Sequence, residues 1–214
     1  MNHSILHSIS SVGILPVVKF NSAEHACRLA ETLTNSGLPA IEVTFRTSCS
    51  VDAIRSINDL HSDILLGAGT VLSPSQVDDA INSGARFILT PGFNPTVVKY
   101  CIDNSIPIIP GCSTPSDIER AIEFGLDVVK LFPAELLGGV KYINALSGPY
   151  PKIKYIPTGG INIDNLADYC SNEHVFACGG SWMVKDSIID AGDFDTISRL
   201  SRKAVSVVSM TKGR

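Results

Sequence analysis

A lysine stands inside an apolar run at residues 127–134, "DVVKLFPA". Val128, Val129, Leu131 and Phe132 around Lys130 read as a strand buried on both faces, as in a parallel sheet. An ammonium there is unfavourable unless it is paired or gives up its charge. Lys130 therefore either reaches a surface or is buried as an amine able to act as a nucleophile. A candidate partner lies in "IEVTFRT", where Glu42, Thr44 and Arg46 recur at every second position and share one strand face. A buried amine beside a carboxylate can do Schiff-base chemistry. The amine attacks a ketone, and the carboxylate moves protons through carbinolamine, imine and enamine. Arg46, a planar fork donor, and Thr70, a hydroxyl donor ending "GAGT", suit the carboxylate of a 2-oxo acid. A Glu42–Lys130 pair that merely braces the fold uses the same residues, although desolvation makes such a pair a poor stabiliser.

A second group of residues suits an anion. The runs "KYIPTGG" and "HVFACGG" end in glycine pairs, Gly159 with Gly160 and Gly179 with Gly180, and Ser181 follows the second. Glycine lets backbone N–H groups come close to an anion, and a following helix N-terminus adds a favourable dipole. Ordinary turn glycines would look the same one pair at a time. Two pairs at corresponding strand ends point to a phosphate site.

Other reactive side chains are less well placed. Lys19, in "PVVKF", is the competing lysine, but it lies at the end of its run and suits a rim or substrate contact better than an imine. Cys112 also ends an apolar run, and its residue type leaves a reactive role open. No histidine falls at a strand end near another ligand type, so a metal-dependent reaction is not expected.

The elements that must position these groups recur about every 20 to 25 residues. Eight short apolar runs, "GILPVVKF", "LPAIEVTF", "DILLGAGT", "ARFILTPG", "IPIIPGCS", "DVVKLFPA", "KYIPTGG" and "HVFACGG", alternate with amphipathic stretches such as "SPSQVDDAINSG" and "TPSDIERAIEFG". Several of these stretches open with Ser or Thr, carry an early Pro and close on Gly, the signature of helix caps. Eight β–α units predict an α/β protein, a single (β/α)8 TIM barrel over residues 1–214 with an extra N-terminal helix. A doubly wound open sheet is the runner-up. In a barrel the active site forms at the C-terminal strand ends, where Glu42, Arg46, Thr70, Lys130 and the glycine pairs all fall.

Composition is consistent with this reading and excludes other classes. The chain has 214 residues, 44% hydrophobic and 18% charged, with net charge −4. That is enough for one sizeable core and too apolar for a disordered chain. No Arg/Lys cluster suggests nucleic acid as a partner. No apolar run approaches the roughly 18 residues of a membrane span, and the N-terminus does not read as a signal peptide. Six scattered cysteines, with no CxxC, read as reduced thiols of a cytoplasmic protein.

In order along the chain, "EVTFRT", "GAGTVL", "PG", "STPSD", "KLFPAE", "PTGGI" and "GGSW" resemble the 2-keto-3-deoxy-6-phosphogluconate and 4-hydroxy-2-oxoglutarate aldolases. The likeness runs from about Val17 to the C-terminal helix. It implies a class I aldolase on a (β/α)8 barrel, a homotrimer that needs no metal or organic cofactor. It implies Lys130 as the Schiff-base lysine and Glu42 as the proton-transferring carboxylate. Arg46 and Thr70 would bind the pyruvate carboxylate, Pro91 and Phe132 would line the pyruvate pocket, and Thr158 would contact the aldehyde end. Gly159, Gly160, Gly180 and Ser181 would cradle the phosphate of a phosphorylated 2-keto sugar acid. A different enzyme class fits the same residues. In a phosphosugar isomerase or epimerase, Glu42 would be the base and Lys130 an electrostatic stabiliser.

Overall fold

The computed structural model describes residues 3–61 and 63–213. Helix α1 (His3–Val12) precedes β1 (Ile14–Val18). There follow α2 (Ala26–Asn35), β2 (Ala40–Thr44), α3 (Ser50–Leu60), β3 (Leu65–Gly69), α4 (Pro74–Asn82), β4 (Phe87–Leu89) and α5 (Pro95–Asp103). The second half runs β5 (Ile108–Ile109), β6 (Gly111–Cys112), α6 (Pro115–Glu123), β7 (Val128–Leu131), α7 (Gly139–Ser147), β8 (Lys154–Pro157), α8 (Leu166–Cys170), β9 (Cys178–Gly180), α9 (Asp186–Asp190) and α10 (Phe194–Lys212).

All strand pairs are parallel. They form a six-stranded sheet of order β5-β4-β3-β2-β1-β9 and a three-stranded sheet of order β6-β7-β8. Isolated parallel bridges at Tyr155 with Val175 and at Thr158 with Gly179 link β8 to the segment of β9. The fifth apolar run, read from sequence as one strand, is split into β5 and β6 at Pro110. Proline has no N–H to offer a ladder, so the chain loses its pairing there.

The strands are buried on both faces, and alternate residues enter two different cores. Leu15, Ala40, Leu65, Phe87, Ile109, Val128, Ile156 and Ala177 pack with Ile5, Leu6 and Ile9 of α1. Ile41, Val43, Leu66, Ala68, Ile88, Val129 and Tyr155 turn the other way, towards Leu29, Ile54, Val77 and Ile118 of the helices. Each fully buried side chain of this size contributes about 1.5–3 kcal/mol. The strict alternation also sets which strand residues are left for the site, because Glu42 and Thr44 lie on the opposite face from Ile41 and Val43.

The caps stop and start the helices where the sequence patterns place them. Ser73 accepts from the Gln76 amide ahead of Pro74, and Thr114 with Asp117 forms a reciprocal capping box ahead of Pro115. Gly37, just past α2, has φ 78°, a left-handed conformation that favours glycine. Among the described residues no helix is long and apolar enough to cross a membrane.

Candidate active site

The C-terminal ends of the strands surround one cavity. It is lined by all eleven residues singled out above: Lys130 and Glu42; Arg46, Thr70, Pro91 and Phe132; Thr158, Gly159, Gly160, Gly180 and Ser181.

Lys130 does not reach the outside. It is 5% exposed, Glu42 is 0% exposed, and the Lys130 Nζ donates to Glu42 Oε1 over 3.0 Å. The two residues belong to different sheets, so this contact spans the space between them. Glu42 Oε2 is buried and has no hydrogen-bond partner among the described residues. Leaving a charge-bearing oxygen unsatisfied is unfavourable, and such atoms call for an explanation beyond stability. The Phe132 ring lies at the cavity with its centroid 5.9 Å from Nζ, at the outer limit of a cation–π contact.

Glycines give this pair its room. A Cβ on Gly69 of β3 would stand 2.0 Å from Glu42 Oε1, and one on Gly111, beside Lys130 in register, would stand 2.3 Å from the Pro91 carbonyl. Thr90 fixes the Pro91 turn, since its hydroxyl donates to the Gly92 carbonyl over 2.7 Å and accepts from the Gly111 amide over 3.2 Å. Thr70 has φ 57°, an outlier for a β-branched residue, which stores about 1–3 kcal/mol of strain. That strain falls at the cavity wall, where strained residues concentrate.

Arg46 is oriented by a residue to which the sequence reading assigned no role. Its Nε donates to Thr44 Oγ1 over 3.0 Å, while the Thr44 hydroxyl donates to the Val18 carbonyl over 2.8 Å. Thr44 is buried and lines the cavity with Val17, Ile161 and Gly179. The period-two spacing that put Glu42 and Arg46 on one face already included Thr44. What it could not show was the bond. Thr44→Val should therefore leave the fold intact and raise KM for the keto acid roughly tenfold, the weight of one hydrogen bond to a charged group. Steady-state kinetics, with circular dichroism to check folding, measures this.

The two glycine turns face the same cavity. Every carbonyl of residues 158–160 is engaged. Thr158 accepts from the Ala134 amide over 2.8 Å, Gly159 from the Glu135 amide over 3.1 Å, and Gly160 from Asn165 Nδ2 over 3.0 Å. Among the described residues the Gly160 amide has no backbone acceptor, and the Ser181 side chain lines the cavity. Both glycines have positive φ, 97° and 85°. With its carbonyls tied back and the Gly160 amide open, the turn can receive an anion. Gly179 must lack a side chain because a Cβ there would meet Thr158 Oγ1 at 2.2 Å, and at Gly180 it would meet the Trp182 ring at 1.9 Å.

Two residues left open by the sequence lie elsewhere. Lys19 does not line the cavity, and its Nζ is paired with Asp186 Oδ2 at 3.0 Å. That bond holds the Asp186 carboxyl below the usual carboxylate range. Cys112 is 2% exposed, and burial, with Asp117 adding, pushes its thiol up to about 12. A thiol that holds its proton so firmly, behind closed packing, is inert, which corrects the reactive role left open for it. Among the described residues no group of three or more His, Cys, Asp or Glu side chains could hold a metal ion.

A parallel α/β protein with a buried lysine–carboxylate pair at the strand C-termini, facing a glycine-rich turn across one cavity, is the class this fold and site define. The chain belongs to the KDPG and KHG aldolase family, whose model matches residues 5–200. It is 46% identical over 207 residues to the 2-dehydro-3-deoxy-phosphogluconate aldolase of Treponema pallidum, covering 97% of this chain and 99% of that one. Its structure is similar to that of the KDPG aldolase of Legionella pneumophila, with pyruvate captured as a covalent carbinolamine intermediate. The TM-score is 0.90 at 33% identity, over 94% of this chain and 97% of that one. It is similar also to the aldolase of Zymomonas mobilis with 3-phosphoglycerate, with TM-score 0.88 at 30% identity over 94% and 95% of the two chains.

Proposed function

We propose that the chain is a class I aldolase that reversibly cleaves 2-dehydro-3-deoxy-6-phosphogluconate to pyruvate and glyceraldehyde 3-phosphate. We extend the proposal to 4-hydroxy-2-oxoglutarate, which would give pyruvate and glyoxylate. The observation that carries it is the buried Lys130 amine, 3.0 Å from a Glu42 carboxylate whose second oxygen has no partner among the described residues.

In this reading the Lys130 nitrogen, after passing its proton through Glu42, bonds to C2 of the substrate, and the carbonyl oxygen leaves as water to give the iminium. The C4 hydroxyl proton goes to Glu42. The C3–C4 bond breaks, its electrons pass into the C2–N system as an enamine, and the aldehyde departs. Return of the proton to C3 and hydrolysis of the iminium release pyruvate and free Lys130. Arg46 and Thr70 hold the carboxylate adjoining C2, with Pro91 and Phe132 around the pyruvate portion and Thr158 at the aldehyde end. Gly159, Gly160, Gly180 and Ser181 hold the phosphate. Binding energy from that remote end orients the bond to be broken. The relative with a pyruvate carbinolamine and the relative with 3-phosphoglycerate support the two halves of this assignment.

The two sheets, linked by the bridges at Tyr155 and Thr158 and joined through Pro110, are read here as one closed (β/α)8 barrel forming a single domain, with α1 as an added helix. A cytoplasmic homotrimer is the assembly that the family resemblance implies.

Borohydride added to protein and pyruvate should leave a stable adduct, mapped by mass spectrometry to the peptide bearing Lys130. An adduct on Lys19 would keep the chemistry and refute the site. No adduct on folded protein would favour the isomerase, with Lys130 as half of an ion pair.

A further inference from the structure

The motif "LFPAE" carries a glutamate, Glu135, that the reaction above does not use. Among the described residues its side chain has one hydrogen-bond partner: Tyr169 of α8 donates its hydroxyl to Glu135 Oε1. Tyr169 is 1% exposed, and its hydroxyl is pushed well above the usual phenol range by burial first and by the Glu135 bond second. The stem of Glu135 lies against the back of the glycine turn. A Cβ on Gly160 would meet Glu135 Cγ at 2.5 Å and Cβ at 2.6 Å. The Glu135 amide also donates to the Gly159 carbonyl over 3.1 Å. Gly139 closes the other side, where a Cβ would stand 2.8 Å from Glu135 Oε1 and 3.0 Å from the Tyr169 hydroxyl.

Glu135 does not line the cavity, but it packs on the back of a turn that does, and a carboxylate so close to an anion site is a conflict unless its position is controlled. If it swung towards the site, its charge would oppose a phosphate directly. Held on the Tyr169 hydroxyl, the carboxylate points into α8, and its own backbone fixes the turn.

We propose that Glu135 and Tyr169 are positioning residues for the phosphate end of the substrate. Tyr169 anchors the Glu135 carboxylate away from the anion, and the anchored Glu135 braces the turn at residues 158–160. This rests on the reading of that turn as the phosphate cradle.

The test measures condensation of pyruvate with two aldehydes that differ only in the phosphate, glyceraldehyde 3-phosphate and glyceraldehyde. Tyr169→Phe should raise KM for the phosphorylated aldehyde roughly tenfold, the effect of losing one hydrogen bond to a charged group, and change KM for glyceraldehyde less than about twofold. Glu135→Gln keeps an acceptor for Tyr169 and removes the charge, so it should stay within about twofold of the parent for both. Glu135→Ala should lose affinity for the phosphorylated aldehyde as Tyr169→Phe does. Equal losses for both aldehydes, or no loss in Tyr169→Phe, would overturn the proposal. A parent protein with no preference for the phosphorylated aldehyde, and no competition from inorganic phosphate, would remove the cradle and this proposal together. Pyruvate–borohydride trapping at Lys130 in each variant reports the amine site separately.

Discussion

Lys130→Met is expected to abolish cleavage, with kcat falling by at least about 10⁴-fold, because no other amine in the cavity can bond to C2. The competing lysine, Lys19, is paired with Asp186 outside the cavity and cannot substitute. The same change should also act on stability. Met fills the strand position, but Glu42 is 0% exposed and loses its counter-ion. Removing one partner of a buried pair destabilises by about 3–5 kcal/mol, because the other charge stays behind without solvent. Adding Glu42→Gln to Lys130→Met should recover most of that loss without any activity. Urea midpoints and turnover of the two variants separate the roles. A stable but inactive double variant marks Lys130 as a nucleophile, whereas residual turnover in either variant refutes that role.

Glu42→Gln alone should reduce kcat by about 10²–10⁴-fold, the usual weight of a positioned acid–base group. It should still form the imine with pyruvate, because the amine and the Arg46 site remain. The step lost is proton transfer, so exchange of the pyruvate methyl protons in heavy water should slow as kcat does. If imine formation and exchange fell together by the same factor, Glu42 would be a structural partner only. Gly69→Ala tests the geometry with the carboxylate still present. Its Cβ would stand 2.0 Å from Glu42 Oε1 and 2.7 Å from the Glu42 carboxyl carbon, so the whole side chain must move inside a closed site. A displacement of that kind should reduce kcat by about 10²-fold, with an unchanged oligomeric state and little change in melting temperature. Normal exchange in Gly69→Ala would mean that the position of Glu42 is not critical.

The sequence by itself determined the features that follow from chain-local rules. Alternation along "AIEVT" put Glu42 and Thr44 on the face opposite Ile41 and Val43, because a strand repeats every two residues. The recurring strand, cap, helix and glycine pattern specified parallel α/β structure, and paired glycines marked the two turns that the structure brings to the cavity. The resemblance added Pro91 and Phe132, whose residue types alone say nothing. Only the tertiary structure decided which charged groups meet. Glu42 and Lys130 are 88 residues apart in sequence, and their 3.0 Å contact depends on how the two sheets face each other. The bond from Arg46 to Thr44, the room that Gly69 leaves for Glu42, and the anchoring of Glu135 by Tyr169 are likewise products of packing. Packing also turned Lys19 towards Asp186 and sealed Cys112 from solvent. Residue type and local spacing state what a side chain can do. Distance, desolvation and the identity of the facing group state what it does, and those arise only when segments remote in the chain close on one another.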